Sequence, residues 1–183
     1  MKVTDFIFRA LAATTFMGLS ACAAPTSGVT GPPGTVLALV PTESTDSIDS
    51  LFRDSCRAQK GAKLVVQGRS NLRCDTPATP QDTASLLLTF EGTLEDLPVL
   101  SLQQAIQRTA QDRTISLVSI KFFARVPQEK GQALRIVPSS SRFITDMRKV
   151  LQEAGAVVLV SEDDVGPAVR AINLQRALEA ARP

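Results

Sequence analysis

The run Thr114 to Ala124 (TISLVSIKFFA) constrains the fold more than any other stretch of this chain. Its β-branched and aromatic residues favour a strand. One side would carry Ile115, Leu117, Ser119 and Lys121, and the other Ser116, Val118, Ile120 and Phe122. Phe122 and Phe123 fall on opposite sides, so the strand is expected to be buried on both. That places it inside a layered domain in which helices pack on a sheet.

The flanking pattern fills in the layers. Ile48, Leu51, Phe52, Ser55 and Cys56 share one face of a helix over 46–60, with Asp46 or Ser47 as cap and Gly61 as stop. A first short strand is expected over 35–40, another over 63–67, and a loop over 68–81. The apolar run ASLLLTFE predicts a strand over 84–91, and Leu102, Ala105, Ile106 and Thr109 predict a helix over 97–111, with Pro98 in its first turn. A turn through Pro127 to Gly131 leads to ALRIV, read as a strand over 133–137. Phe143, Ile144, Met147, Val150, Leu151 and Ala154 repeat at helical spacing after the capping group Ser139 to Ser141, and Gly155 supplies the stop. A buried strand over 156–160 and a last helix over 165–181, capped by Asp163 or Asp164, complete the chain. The fold class is therefore α/β or α+β. We expect a single domain over 35–183, a mixed sheet with a βαβ(β)αβ core, and an N-terminal helix packed on it.

Composition narrows function by what is missing. The 183 residues include no His, Trp or Tyr. Histidine metal ligands, a histidine general base and Ser-His-Asp or Cys-His pairs are thereby excluded. The best stacking side chains for sugars and single-stranded nucleic acid are absent too. With 20 Lys and Arg against 18 Asp and Glu, the net charge of +2 selects no partner. No carboxylate pair stands out: Asp163-Asp164 reads as a helix cap, and Glu95-Asp96 as a turn before Pro98. Ser139 to Ser141 and Lys149 are badly spaced for a Ser-Lys pair. The expectation is a protein that is not an enzyme and needs no cofactor or metal.

The N-terminus gives an address. Lys2 and Arg9 flank a short basic region, and Ala10 to Leu19 is an uncharged, mostly apolar run of ten residues. A spanning helix needs about 20, so this run suits a signal peptide instead. It ends in Leu19-Ser20-Ala21-Cys22, which resembles the lipobox of bacterial lipoproteins. The resemblance implies cleavage before Cys22, diacylglycerol on its sulfur and acylation of the new amino group. More than one acyl chain holds a protein stably to a membrane. In a diderm host, Ala23 after the lipidated cysteine implies the outer membrane, with the domain facing the periplasm. An ordinary secretory signal, cleaved after Ala21 or Ala24, would export the chain as well. Residues 1–21 thus read as signal peptide and 22–34 as tether, since AAPTSGVTGPPG is small, uncharged and rich in Pro and Gly. Its twelve residues extend to about 40 Å at most.

With Cys22 assigned to lipid, Cys56 and Cys74 remain. In an oxidising compartment such a pair reads as a disulfide. It would close a loop of roughly 19 residues and stabilise the fold by about 3 kcal/mol. The close C-x-x-C spacing usual in a redox pair is absent.

Residues 90–160 resemble, in pattern, the OmpA-like C-terminal domain that holds peptidoglycan. The matching features are Phe90 on a strand before a helix, an inner strand over 115–123, Ser139-x-x-Arg142 opening the second helix, and the Gly155 stop. The resemblance implies a ligand-binding role for Arg142 on a carboxylate of the peptide stem. The family's acidic segment is replaced by Ala124-Arg125-Val126-Pro127-Gln128, and Glu129 is the nearest acid in sequence. An ordinary role for Arg142 is pairing with Asp146 one turn on.

Two stretches are locally basic. One holds Arg53, Arg57, Lys60, Lys63, Arg69 and Arg73 against Asp54 and Asp75; the other, 121–149, has seven basic residues against Glu129 and Asp146. Spread over several elements, they read as solvated faces rather than an anion-facing surface. The functional expectation is a lipid-anchored accessory or structural protein of an envelope complex (secretion, pilus or assembly), or a cell-wall tether. Its partners would be the membrane and an envelope protein, with peptidoglycan as the alternative and nucleic acid excluded.

Overall fold

Residues 34–182 are described by a computed structural model, apart from Glu95, Lys130, Pro138 and Ser139. The signal, the lipobox with Cys22, and the tether up to residue 33 lie outside the described residues. So does the capping role of Ser139, together with the side chains of Ser140 and Ser141.

The chain order is β1 (Thr35–Pro41), α1 (Thr45–Arg57), β2 (Lys63–Val66), β3 (Asn71–Pro77), α2 (Pro80–Phe90), β4 (Val99–Arg108), β5 (Ile115–Gln128), β6 (Gly131–Arg135), α3 (Ser140–Glu153), β7 (Val157–Leu159) and α4 (Val165–Ala180). The strands form a 7-stranded sheet in the order β2-β3-β4-β5-β1-β7, with β6 also on β5. The fold is thus a mixed α/β domain, one sheet with packed helices. Every described pairing is antiparallel, which corrects the expectation of a mixed sheet.

The 114–124 run lies at the centre, as its composition requires, and continues to Gln128. Along one edge β5 pairs with β4 from Ser116 to Arg125. Its other edge is shared: β1 takes Ile115 to Lys121 and β6 takes Ala124 to Gln128. Gly34 stands at the junction, where its carbonyl accepts from Phe122 N at 2.8 Å. Its φ is +67°, and a Cβ there would lie 2.8 Å from the Phe122 carbonyl oxygen and from Ile136 Cδ1. Only glycine enters the sheet there without displacing its neighbours.

Side-chain alternation divides the sheet into two unlike faces. On one face, Val36, Val40, Val118, Ile120, Phe122, Ala124 and Val126 pack under Leu86 of α2 and Phe143, Ile144 and Met147 of α3. Beside them, α1 brings Phe52 and Cys56 onto Leu72 and Cys74. Cys56 and Cys74 form a disulfide with their Cα atoms 5.6 Å apart, so α1 is fastened to β3. Buried Gln104 is satisfied on this face by Asp49 of α1, at 3.3 Å. On the opposite face, Leu37, Leu39, Ile115, Leu117 and Leu159 are covered by α4 through Val169. That cover reaches only one end of the sheet. Ser119, Phe123 and Arg125 are half-buried and Lys121 is exposed, so β5 is enclosed on both sides only near its start.

Three elements differ in type from the sequence expectation, and the strand expected over 133–137 is β6, shifted to Gly131–Arg135 because Pro127 and Gln128 pair in β5 instead of turning. The strand expected over 84–91 is helix α2. Thr79 caps it, its Oγ1 accepting from Asp82 N at 3.2 Å, and Pro80 occupies the first turn. Leu86 is buried while Leu88 is 83% exposed, so the three leucines do not share an environment as a central strand would require. The helix expected over 97–111 is strand β4, and the loop expected over 68–81 contains β3. In β4, Leu100, Leu102, Gln104 and Ile106 alternate with Ser101, Gln103, Ala105 and Gln107, a period of two that coexists with the helical spacing. Hydrogen bonds to β3 and β5 on its two edges decide between them. Phe90 therefore ends a helix, and β4 stands where the OmpA-like pattern has its first helix. The 115–123 strand, Arg142 at the start of α3 and the Gly155 turn at φ +81° lie where expected.

The strand expected over 156–160 is the three-residue edge strand β7, with Val157 exposed and Leu159 buried. Asp164 stands at the N-cap of the last helix without a side-chain cap bond, and the capping box belongs to the 3-10 turn Glu162–Asp164 just before it, opened by Ser161. Ser161 Oγ accepts from Asp163 N at 3.1 Å, and Asp164 reciprocates by accepting from Ser161 N at 2.9 Å.

Candidate functional site

The part of the sheet left open by α4 gathers polar side chains from β2, β3, β4 and β5. Its centre is Asp75, whose side chain is 9% exposed. Arg73, two residues earlier on β3, donates from Nε to both carboxylate oxygens at 3.0 and 3.2 Å. Arg125 of β5 donates from Nη2 to Oδ2 at 2.8 Å. Between them, buried Ser101 of β4 donates to Oδ1 at 2.7 Å and accepts from Arg125 Nε at 3.3 Å. The carboxylate thus receives charge-assisted bonds from two guanidinium groups and a hydroxyl, an arrangement that fixes all four side chains.

The strands produce this cluster by register. Asp75 is the Cα partner of both Lys63 and Ser101, and Ser101 is that of Phe123. One step along, Arg73, Gln103 and Lys121 form the next cross-strand row, and Thr35 of β1 extends it. The row beyond begins at Asn71, and Gln103 donates from Nε2 to Asn71 Oδ1 at 3.1 Å. Asp75 therefore shares this face with the cations Lys63, Arg73, Lys121 and Arg125, of which Arg73 and Arg125 bond to it.

Both locally basic stretches contribute to this face. Lys63 and Arg73 come from the first, and Lys121 and Arg125 from the second. Sequence separation hid their proximity: the expectation of dispersal is corrected for these four, while Lys63 and Lys121 are exposed to solvent as expected. In the sequence Asp75 stands only as a countercharge within the first basic stretch, and nothing marks Ser101. The available signal was the Arg73–Asp75 spacing of two, which brings two side chains together only in a strand.

Chemically, the cluster is a cationic surface held in place. Two guanidinium groups share one carboxylate, so positive charge remains, and each side chain is 21% exposed. Arginine presents five donors in a fixed fork, so groups bound through Nε or a single Nη keep donors for a second anion.

Arg142 stands apart from this face, on the outside of α3. It is 73% exposed, with Nε 3.9 Å from Asp146 Oδ2. A cleft of about 250 Å³ lies elsewhere, between β1, β7 and α4, with Leu39, Ile115 and Ile172 among its lining residues. Its Arg176 is already engaged, donating from Nη1 to Thr114 Oγ1 at 3.2 Å. Thr114 also donates through its backbone and its hydroxyl to Asp112, at 2.8 and 2.7 Å, and these bonds hold that carboxyl below its usual value of 3.8.

Among the described residues, no group of His, Cys, Asp and Glu is placed to hold a metal ion, and no helix is long and apolar enough to cross a membrane. No protein-family model matches this sequence, and no curated protein matches it.

Proposed function

We propose that this protein is an exported bacterial lipoprotein, anchored to the outer membrane through Cys22 and facing the periplasm. Its role is non-enzymatic and accessory, within an envelope assembly such as a secretion, pilus or biogenesis machine. The observation that carries this reading is Leu19-Ser20-Ala21-Cys22 closing a ten-residue apolar run behind a basic N-terminus. The Cys56–Cys74 disulfide supports it, because such bonds persist in oxidising compartments. The half-open sheet supports the non-enzymatic part: its polar groups are bonded to one another as a surface rather than converging on a reaction cavity. Peptidoglycan binding through Arg142 has less support, because that side chain stands outside the polar face and faces Asp146 of its own helix.

The test is the mass of the N-terminal peptide of protein purified from its native membranes. The expected peptide begins at Cys22 and carries diacylglycerol plus one acyl chain, and Cys22→Ser removes the modification. A mature protein beginning elsewhere without lipid would overturn the anchoring.

A further inference from the structure

We infer that the open cationic half of the sheet docks onto the anionic phospholipid surface that carries the chain's own anchor, with headgroup phosphates seated at Arg73 and Arg125. The inference rests on the anchoring reading above and adds a second, non-covalent contact to it.

The first ground is charge complementarity on a rigid support. Lys63, Arg73, Lys121 and Arg125 face the same way from three antiparallel strands, with Asp75 as the carboxylate among them. Both guanidinium groups are held by that carboxylate, so little side-chain freedom is lost when a phosphate arrives. Arginine matches phosphate in planar, paired fashion, while the exposed lysines act as point charges at the rim.

The second ground is where the preceding chain enters. Thr35, the first residue of β1, is the Cα partner of Lys121, so β1 begins beside one of the cationic rows. Arg125 lies four residues farther along the same strand, about 13 Å away at the usual strand rise. Residues 23–34 extend to about 40 Å at most, so a domain anchored at Cys22 stays close to the membrane. That reach lets the cationic rows meet the surface. Each Lys or Arg beside an anionic leaflet shifts such an equilibrium by about fivefold, and the effect fades beyond a Debye length.

The test uses the full lipidated protein in nanodiscs of phosphatidylglycerol or of phosphatidylcholine. A membrane-impermeant amine reagent reports lysine accessibility by mass spectrometry. The expected result is that Lys63 and Lys121 react several-fold more slowly in anionic than in zwitterionic discs. Lys149, 70% exposed on α3, should react equally in both. Raising salt from about 0.05 to 0.5 M restores the reactivity, because it shortens the Debye length. Lys121→Gln, an exposed substitution that leaves the Asp75 cluster intact, lowers the docking equilibrium about fivefold as read at Lys63.

Equal reactivity of Lys63 in both lipids, with the protein held in the disc, would overturn the docking and leave the anchor standing. A protein that carries no lipid and does not enter the discs would overturn the anchor instead. Protection of the two lysines in native envelopes, but in neither disc, would overturn lipid as the occupant in favour of an acidic protein partner.

Discussion

Replacing Asp75 by Asn is expected to destabilise the domain by about 3 kcal/mol, the lower end for breaking a buried ion pair by removing one partner. The effect exceeds that of a surface salt bridge because the carboxylate is 9% exposed and serves Arg73, Arg125 and Ser101 together. Asn can still accept from Ser101, but it leaves two guanidinium groups with no opposing charge. Urea unfolding monitored by far-UV circular dichroism measures the change as a lower midpoint at unchanged slope. A loss below about 1 kcal/mol would mean that the cluster behaves as an ordinary surface pair. The same substitution should act with opposite sign on anion binding, since it removes the carboxylate among four cations. Lower stability with stronger retention on anionic lipid is therefore the distinctive pairing.

The second large effect belongs to the disulfide. A Cys56→Ala, Cys74→Ala variant is expected to lose about 3 kcal/mol, from the chain entropy regained by the opened loop. For a domain of this size that corresponds to a Tm lower by about 10 °C, and thermal unfolding with and without dithiothreitol should give the same difference for the native chain. A fall of less than about 3 °C on reduction would contradict the assignment of the bond as a main support of α1 on β3. The two predictions are coupled. Cys74 adjoins Arg73 and Asp75 on β3, so loosening the disulfide should also loosen the cluster, and the combined variants should not add.

How far the sequence revealed this architecture follows from where its signals were local. The 114–124 strand, the helix containing Phe143, Ile144 and Met147, and the helix carrying Phe52 and Cys56 were legible, because each has a periodicity that no neighbouring residue contradicts. The pairing of Cys56 with Cys74 was legible from the count of cysteines once Cys22 was set aside. Residues 84–91 mislead because a leucine run satisfies a buried strand and a short helix alike, and the Thr79-Pro80 start suits a loop as well. Residues 97–111 misled because Leu102 and Ile106 suit both periods; only the neighbouring strand edges choose between them. Once 68–81 was read as loop and 97–111 as helix, Arg73, Asp75, Ser101 and Arg125 had no common surface. The site was hidden because it depends on register between strands distant in sequence.

The open half of the sheet is expected to be the surface this protein buries in its native envelope. A photo-crosslinking residue at Gln103, in the middle of that face, tests it in the native envelope against the same residue at Gln152, on the exposed side of α3. Lipid adducts are expected from Gln103, lost on raising salt, with few or none from Gln152. Adducts confined to Gln152, with Gln103 free in intact envelopes, would contradict it.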